Sequence, residues 1–478
     1  MRFDSIDVTK AIDSAKEALV KDKTISSGTK ATIELLITII SLLLGRLKLN
    51  STNSSKPPSS DTNKDKKPRK KTNNSRGGQK GHDGVTLNPV KNPDKIKNLS
   101  VDKRKLPRGK NYKNNGYLSR QVIDIKISKI ITEYRAERLI DDEGVEYIAE
   151  FPGDITRPIQ YGASVKAAAT HLSTYQLIPY ERIQEQFRDE YSIPLSTGSL
   201  CNFNAEASAL LLELGFDSAV KHELSQSIYA HADETSINLE GKKIWLHNLS
   251  NDDWTWFVPH AKRGTQAIND IGIIPAFSGV LCHDHWKPYY KFDCTHALCN
   301  AHHLRELTRA GEIDGQQWAK KMHDFLTELN IEVGKKPKKK LSTKTAKKRR
   351  EKYAAILAEG DLECPAPSQK AKTKRKPKRS KSRNLLERLR EYKNDVLRFM
   401  VNANVPFTNN QGERDLRMIK VQQKISGCFR SMDGAVNFCR VRSYLSTCKK
   451  NGISASEALE TVFNKKLPDF IQKKLDSS

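Results

Sequence analysis

The stretch QSIYAHADETSINLEGKKIWLHNLS (residues 226–250) decides the fold that we predict for this chain. Two apolar runs flank the turn-like EGK, a pattern that predicts two antiparallel strands. Asp233 and Glu234 stand side by side at the end of the first run. Burying a carboxylate costs on the order of several kcal/mol unless another group compensates its charge. The pair therefore indicates a functional edge of a sheet, where a metal ion could balance the charge of Asp233.

The residues that follow extend this pair of strands into an α/β sheet. WTWFVPHA (254–261) predicts a third strand, the residues around 263–273 predict a helix, and FSGVLCHDHW (277–286) predicts a fourth strand. Three strands, a helix and a fourth strand begin a ribonuclease-H-like fold. The order of the strands in the sheet stays open at this point.

A second carboxylate, Asp284, stands at the end of the predicted fourth strand. If this strand lies beside the first, Asp233 and Asp284 repel each other by roughly one to several kcal/mol, which demands a proton or a cation. Carboxylate oxygens favour Mg²⁺ or Mn²⁺, and a pair of such ions can activate a nucleophile and stabilise the oxygen leaving a phosphate.

A third carboxylate, Glu413, begins a predicted helix in FTNNQGERDLRMIKVQQKISGCFRS (407–431). The same face of that helix carries cations one, two and three turns later: Arg417, Lys420 and Lys424. Such a helix could hold a metal and grip the phosphates of a nucleic acid strand. The alternative is an ordinary helix start, with Asn410 as the cap and Glu413 as a capping-box residue. Asp415 is an alternative metal ligand, but it lies on a different face of this predicted helix from Glu413.

Composition indicates the class of partner. Lys and Arg number 83 against 56 Asp and Glu in 478 residues, a formal charge of +27 with a pI near 9.6. This bias favours nucleic acid as a partner, and the length allows two or three domains. LLITIISLLL (35–44) is about half the length of a bilayer span, so we expect no membrane partner. The first residues carry no secretory signal, which predicts a cytoplasmic protein whose eight cysteines are thiols or metal ligands.

The pattern changes several times along the N-terminal half. Residues 1–48 predict one or two helices with an apolar stripe, suited to self-association or to packing within the chain. Residues 49–90 are polar and basic and predict a flexible arm. Its cations could follow DNA phosphates or simply be solvated; they are Lys66, Lys67, Arg69, Lys70 and Lys71.

The remaining boundaries follow from the changing period of apolar residues. Residues 91–160 predict a small β-rich unit, in which 120–152 alternate as two strand-like runs. Residues 161–222 predict helices, either a DNA-reading helix-turn-helix, whose second helix Ser199 could cap, or a packed helical pair. The predicted core then occupies 223–310 and 401–478, separated by a helical basic insertion at 311–400. The sequence contains no glycine-rich phosphate-binding loop, which argues against an NTPase.

Five motifs in this order resemble the bacterial transposases of the insertion-sequence 66 family. They are NSSKPPSSD (53–61), GGQKGHDG (77–84), HADET (231–235), CNAHHLREL (299–307) and NNQGERDLR (409–417). The resemblance implies a DDE-type enzyme, which nicks transposon ends and joins the freed 3′ hydroxyl to target DNA. It places the two aspartates on Asp233 and Asp284 and the glutamate on Glu413, holding Mg²⁺ or Mn²⁺. It also implies a homo-oligomer bound to transposon-end and target DNA, with accessory proteins of the same element as further candidates.

The chain departs from the family pattern in two places. Relatives commonly carry a cysteine-rich zinc segment after the arm, whereas residues 85–150 contain no cysteine, so the β-rich unit would be a metal-free remnant. The second aspartate is usually followed by Gly or a small residue and Tyr, whereas this chain has His285 and Trp286.

Other readings of the site stay open. Cys294, Cys299 and His302 could bind zinc, although their spacing matches no standard pattern. A metal-dependent nuclease or resolvase would use the same core without joining DNA. A catalytically silent DNA-binding protein would not need the carboxylates at all.

Overall fold

The computed structural model describes residues 2–3, 6–22, 24–54, 61, 87–367 and 379–477, and the structural statements below concern these residues. The N-terminal part contains the two-residue strands β1 (Arg2–Phe3) and β2 (Ile6–Asp7) and the helices α1 (Val8–Lys21) and α2 (Ser27–Leu47). Ser26 caps α2 by accepting a hydrogen bond from the backbone N–H of Thr29 at 3.2 Å. The five basic residues predicted to bind DNA through the arm lie outside the described residues.

Residues 87–162 contain little regular structure. Strands β3 (Arg138–Ile140) and β4 (Glu146–Ile148) form an antiparallel hairpin. Of the two strand-like runs predicted over 120–152, the part from 120 to 136 forms no strand in this described segment, and its apolar side chains are exposed, as at Val122 and Ile130. Alternation predicts a strand, but a strand forms only where another strand accepts its backbone hydrogen bonds.

A helical layer follows. It comprises α3 (Ala163–Thr170), a single π-helical turn (His171–Tyr175), α4 (Tyr180–Tyr191), α5 (Thr197–Glu213) and α6 (Phe216–Ser225). The cap of α5 is Ser196, which accepts from the N–H of Ser199 at 3.0 Å, so the prediction of Ser199 as the cap was wrong. Helix α5 buries Phe203 and Leu211 in the main core, as the packed-pair alternative expects.

The central sheet has five strands. They are β5 (Tyr229–Leu239), β6 (Lys242–Ser250), β7 (Thr255–His260), β8 (Val280–His283) and β9 (Thr295–Leu298), with α7 (Thr265–Ile271) between β7 and β8. Their order is β7-β6-β5-β8-β9: the first three are antiparallel neighbours, and β8 and β9 run parallel to β5. The predicted mixed α/β sheet is therefore confirmed. Strand β9 was not among the four strands that the sequence predicted.

That helix, α8, spans Asn300–Glu312 and leads into the insertion. The insertion contains α9 (Gln317–Gly334), α10 (Thr343–Glu363), α11 (Lys381–Glu391) and α12 (Lys393–Val396). Its helices share a core with one face of the sheet, in which Trp318 and Tyr353 are fully buried. Residues 335–348 comprise the turn from α9 to α10 and the first six residues of α10, and they carry eight exposed lysines and no acidic residue. We call these residues the insertion tip.

Four C-terminal helices return to the sheet: α13 (Asn410–Ser426), α14 (Met432–Lys450), α15 (Ala455–Phe463) and α16 (Asp469–Asp476). Helix α14 covers the edge strand β7, where Ser443 Oγ accepts from Phe257 N at 2.9 Å and Thr447 Oγ1 accepts from Thr255 N at 3.1 Å. These hydroxyls satisfy an edge that would otherwise expose backbone donors. None of the helices in the described part of the chain has both the length and the apolar character that a membrane span requires.

Candidate active site

The parallel pairing of β5 with β8 brings two of the predicted carboxylates to the same level. The paired residues end with His231 opposite Cys282, and continuing this register by two residues places Asp233 opposite Asp284. The prediction that Asp233 ends its strand was wrong. Strand β5 continues to Leu239 because β6 pairs with it beyond this point, and only its parallel neighbour β8 stops.

The pKa of Asp233 reflects both its burial and the charges of the other carboxylates. This pKa is raised from 3.8 to about 8, chiefly by burial and in addition by the charges of Glu234, Asp284 and Glu413. The backbone N–H of Glu234 donates to Asp233 Oδ1 at 2.9 Å and works in the opposite direction. Asp233 is therefore a partly buried carboxyl group that interacts electrostatically with both Asp284 and Glu413.

The turn after β8 orients Asp284. Its Oδ1 accepts a hydrogen bond from the backbone N–H of Trp286 at 3.0 Å. Between them, His285 has a φ of 74°, in the left-handed region that favours glycine. The imidazole of His285 packs edge-on against Tyr392, with ring centroids 4.4 Å apart. The backbone turn at His285 is therefore one that glycine would adopt without strain.

Asn409 fixes the start of the helix that carries Glu413. It is the N-cap of α13, but its side chain binds the sheet rather than the helix. Asn409 Oδ1 lies 2.6 Å from His231 Nδ1, and its Nδ2 donates to the Ala232 carbonyl at 2.8 Å. The first turn of α13 is thereby tied to β5 immediately before Asp233. The alternative of Asn410 as a capping residue was wrong, since Asn410 is already inside the helix.

Glu413 lies in that first turn of α13, with its side chain 40% exposed. Its Oε1 is 3.6 Å from Arg305 Nη2 and 4.0 Å from His302 Nε2, both on α8. Asp415, the rival ligand, instead forms an ion pair with Lys450 at 3.2 Å, and both side chains are almost buried. Helix α13 therefore directs Glu413 toward α8 and the carboxylates, and Asp415 away from them.

The three predicted phosphate-binding residues of α13 have different environments. Arg417 and Lys424 are exposed. Lys420 is half-buried and donates a hydrogen bond to the Ser236 carbonyl on β5. Burial, followed by repulsion from Lys243, lowers the pKa of Lys420. The ammonium of Lys420 is thus part of the packing between α13 and the sheet, while the other two cations face solvent.

Sequence reasoning noticed Glu234 but missed its role. Its side chain is only 1% exposed, and Arg263 Nε donates to Oε1 at 3.0 Å while Tyr289 Oη donates to Oε2 at 2.7 Å. The guanidinium of Arg263 lies between the rings of Trp245 and Trp286, 4.6 and 4.4 Å from their centroids. No sequence signal links Arg263 to Glu234, because they are separated by 29 residues.

The contrast between Glu234 and Asp233 tests whether the site suits a divalent cation. Glu234 has an arginine and a tyrosine as partners, whereas Asp233 has no cationic partner among the described ion pairs. Asp233 and Asp284 provide only carboxylate oxygens, which are the ligands that Mg²⁺ and Mn²⁺ prefer. The residues therefore fit a hard divalent metal ion.

Comparison with known proteins places the chain in a family. Residues 158–437, more than half of the 478, match the family described as Transposase IS66 family. Residues 9–88 match a family of unknown function (DUF6444). An uncharacterised protein, y4jO, of Sinorhizobium fredii is 37% identical over 70 residues, which are 15% of this chain and 22% of that protein. The chain thus matches about a fifth of that relative's length. The chain belongs to the IS66 family of DDE transposases, whose members are in general metal-dependent and whose core is ribonuclease-H-like.

Proposed function

We propose that this protein is a DNA transposase that nicks transposon ends and transfers the freed 3′ hydroxyl to target DNA. The observation that carries this proposal is the register of β5 and β8, which sets Asp233 level with Asp284. The raised pKa of Asp233, to which the charges of Asp284 and Glu413 both contribute, agrees with it. Three acidic residues that are far apart in the chain therefore influence one another in the fold. Membership of the IS66 family supports the transposition chemistry.

Asp233, Asp284 and Glu413 would hold two Mg²⁺ or Mn²⁺ ions. When bound, such a pair polarises the attacking water or 3′ hydroxyl and stabilises the leaving oxygen of the phosphodiester. The chain itself supplies the placement: β5 and β8 present the two aspartates side by side, and Asn409 ties the helix of Glu413 to β5. Arg263 neutralises Glu234, so this neighbouring carboxylate adds less repulsion where phosphate must enter.

Several cationic surfaces would hold the DNA. Arg417 and Lys424 are exposed on the helix of Glu413 and would contact phosphates near the reacting bond. The insertion tip would bind the duplex farther away, with the basic arm contacting the transposon end. The apolar face of α2 would join copies of the chain in the synaptic complex; its exposed residues include Leu35, Leu36, Ile39, Ile40, Leu42 and Leu43. Accessory proteins of the same element remain candidate partners.

The test is Mg²⁺-dependent cleavage of a duplex that carries the element's own ends, followed by strand transfer to a labelled target. We expect Glu413→Gln to reduce cleavage by about a hundredfold or more, because it removes a charge that acts in the transition state. Glu460→Gln, an exposed change of the same type on α15, is the matched control and should retain activity. Binding to the same duplex, measured without divalent metal, should be equal in all three proteins.

Each outcome has a distinct meaning. Equal cleavage by Glu413→Gln and the native chain would contradict the role of the carboxylate. Metal-dependent cleavage without joining would instead support the nuclease or resolvase alternative. DNA binding with no cleavage by any of the proteins would support the silent DNA-binding alternative.

A further inference from the structure

A second cluster of possible metal ligands adjoins the carboxylate centre. Cys299 is the N-cap of α8, His302 lies one turn later on the same helix, and Glu413 approaches from α13. One ligand atom from each residue lies within 4.8 Å of the other two. In the described part of the chain this is the one such group of histidine, cysteine and acidic residues, and Cys294, predicted earlier as a zinc ligand, does not belong to it.

The imidazole of His302 has no hydrogen-bonding partner that explains its position. Its Nδ1 is buried and has no partner in the structure. Its Nε2 is 4.0 Å from Glu413 Oε1, which is too long for a hydrogen bond. A mostly buried imidazole whose Nδ1 is unsatisfied is costly unless a ligand completes it.

The thiol of Cys299 is placed as a ligand sulfur would be. Cys299 is buried, and its Sγ accepts a hydrogen bond from the backbone N–H of Asn409 at 3.1 Å. A backbone N–H that donates to the sulfur in this way stabilises a thiolate bound to a metal. The spacing of three residues places Cys299 and His302 on one side of the first turn of α8.

The geometry requires only a small contraction to accept an ion. Zinc binds sulfur at about 2.3 Å, imidazole nitrogen at about 2.0–2.1 Å and carboxylate oxygen at about 2.0–2.2 Å, so neighbouring ligand atoms lie roughly 3–4 Å apart. The present separations, at most 4.8 Å, approach that range. Glu413 is accessible to an ion, since its side chain is 40% exposed and its 3.6 Å ion pair with Arg305 is longer than a hydrogen bond.

The ligand atoms determine which metal the cluster selects. A thiolate and an imidazole favour Zn²⁺, whereas Asp233 and Asp284 offer only oxygen and favour Mg²⁺ or Mn²⁺. Glu413 is the one residue that both groups share. A zinc ion bound at α8 would therefore withdraw Glu413 from the two aspartates.

We propose that Cys299, His302 and Glu413 form a zinc site with one position open to water, and that zinc at this site competes with Mg²⁺-dependent cleavage. The binding part stands on the geometry of the cluster alone. The competition rests on the proposed function, because it requires Glu413 to serve the cleavage reaction.

Cobalt is the probe for binding, since a thiolate bound to Co²⁺ gives a charge-transfer band in the near ultraviolet. Titration of the full-length protein should produce this band with one cobalt per chain, and Zn²⁺ should displace it. Cys299→Ser should lose the band, whereas the control Cys201→Ser, which changes an exposed cysteine on α5, should keep it. His302→Asn is the second ligand variant, and it should weaken cobalt binding by about tenfold or more.

The competition is measured as zinc inhibition of Mg²⁺-dependent cleavage, expressed relative to each protein's own activity without zinc. Raising Mg²⁺ should raise the zinc concentration needed for half-inhibition of the native chain. His302→Asn should need about tenfold more zinc than the native chain. Equal zinc sensitivity of the variant and the native chain would overturn the competition.

The two proposals fail separately. If the native protein gave no thiolate band, or if Cys299→Ser kept it, the zinc site would be refuted even with full cleavage activity. If the band appeared and depended on Cys299 but no divalent ion supported cleavage, the zinc site would stand and the proposed function would fall.

Discussion

Replacing Asp233 by Asn should stabilise the metal-free protein, although it removes a carboxylate from the proposed catalytic centre. The folded protein binds the Asp233 proton up to a pH near its pKa of about 8, whereas the unfolded chain releases it near 3.8. Between these two pH values the folded protein must either keep Asp233 protonated or hold it as an unpaired charge. Both alternatives cost free energy relative to the unfolded chain. Asn is neutral at every pH and avoids this cost.

The magnitude follows from the two pKa values. Stability associated with protonated Asp233 is fully present below pH 3.8 and is lost as the pH rises through about 8. The loss is about 1.36 kcal/mol per pH unit, so at pH 7 it reaches about 4 kcal/mol. We therefore expect Asp233→Asn to raise the free energy of unfolding by up to about 4 kcal/mol at pH 7. Near pH 4 the variant and the native chain should be equally stable.

The measurement is urea denaturation in EDTA at several pH values, followed by the fluorescence of tryptophans such as Trp254 and Trp256 in the main core. Asp415→Asn is a control with the opposite expected sign, because it leaves the almost buried Lys450 without its ion pair. Mg²⁺ at 100 times its dissociation constant from the native chain should stabilise that chain by about 2.7 kcal/mol. The same Mg²⁺ concentration should stabilise the Asp233→Asn variant far less.

Two results would refute this reasoning. One is a gain in stability that is the same at pH 4 and pH 7, which would mean that ionisation of Asp233 is not its cause. The other is a loss of stability at pH 7 similar to that of Asp415→Asn, which would mean that a cationic group already compensates Asp233.

Three further predictions concern other parts of the structure. His285→Gly should be more stable than His285→Ala by about 1 kcal/mol in thermal or urea unfolding, since both lose the ring but only Gly relieves the positive φ; equal stability would contradict a left-handed turn there. Asn409→Ala should lower the free energy of unfolding by about 1–3 kcal/mol and also slow cleavage, because it frees the helix of Glu413 from the Ala232 carbonyl; normal cleavage would argue against this positioning role. Replacing the three lysines of residues 338–340 by Gln should reduce the salt dependence of DNA binding, by up to about 0.9 in logarithmic slope per lysine; an unchanged slope would exclude the insertion tip from DNA contact.

Local patterns predicted much of the core. The apolar runs identified the four strands that form β5 to β8 and the helix between β7 and β8. They failed at β9, whose four residues continue directly into the start of α8 and carry no separate period. They failed also at 120–136, where alternation is present but no described strand lies alongside to pair with it.

The candidate site was predictable only in its chemistry. The sequence indicated that Asp233, Asp284 and Glu413 could share a metal, and whether they act as catalytic residues stays a prediction. It could not show that Asn409 binds the sheet instead of capping its helix, because that choice depends on His231, 178 residues away. The positive φ of His285 was equally invisible, since the turn that imposes it is set by where β8 stops.

The sequence by itself determined the helices and strands with a clear period, the family to which the chain belongs, and the kinds of side chain available for chemistry. The tertiary structure alone decided which of two adjacent carboxylates is compensated. Arg263 and Tyr289 bind Glu234 and lower its pKa against the burial that raises it, whereas Asp233 has no cationic partner among the described ion pairs and its pKa rises to about 8. The physical reason is that secondary structure reflects burial and hydrogen bonding among near neighbours in the chain. Electrostatic compensation depends instead on distances through space and on burial, which no local pattern records.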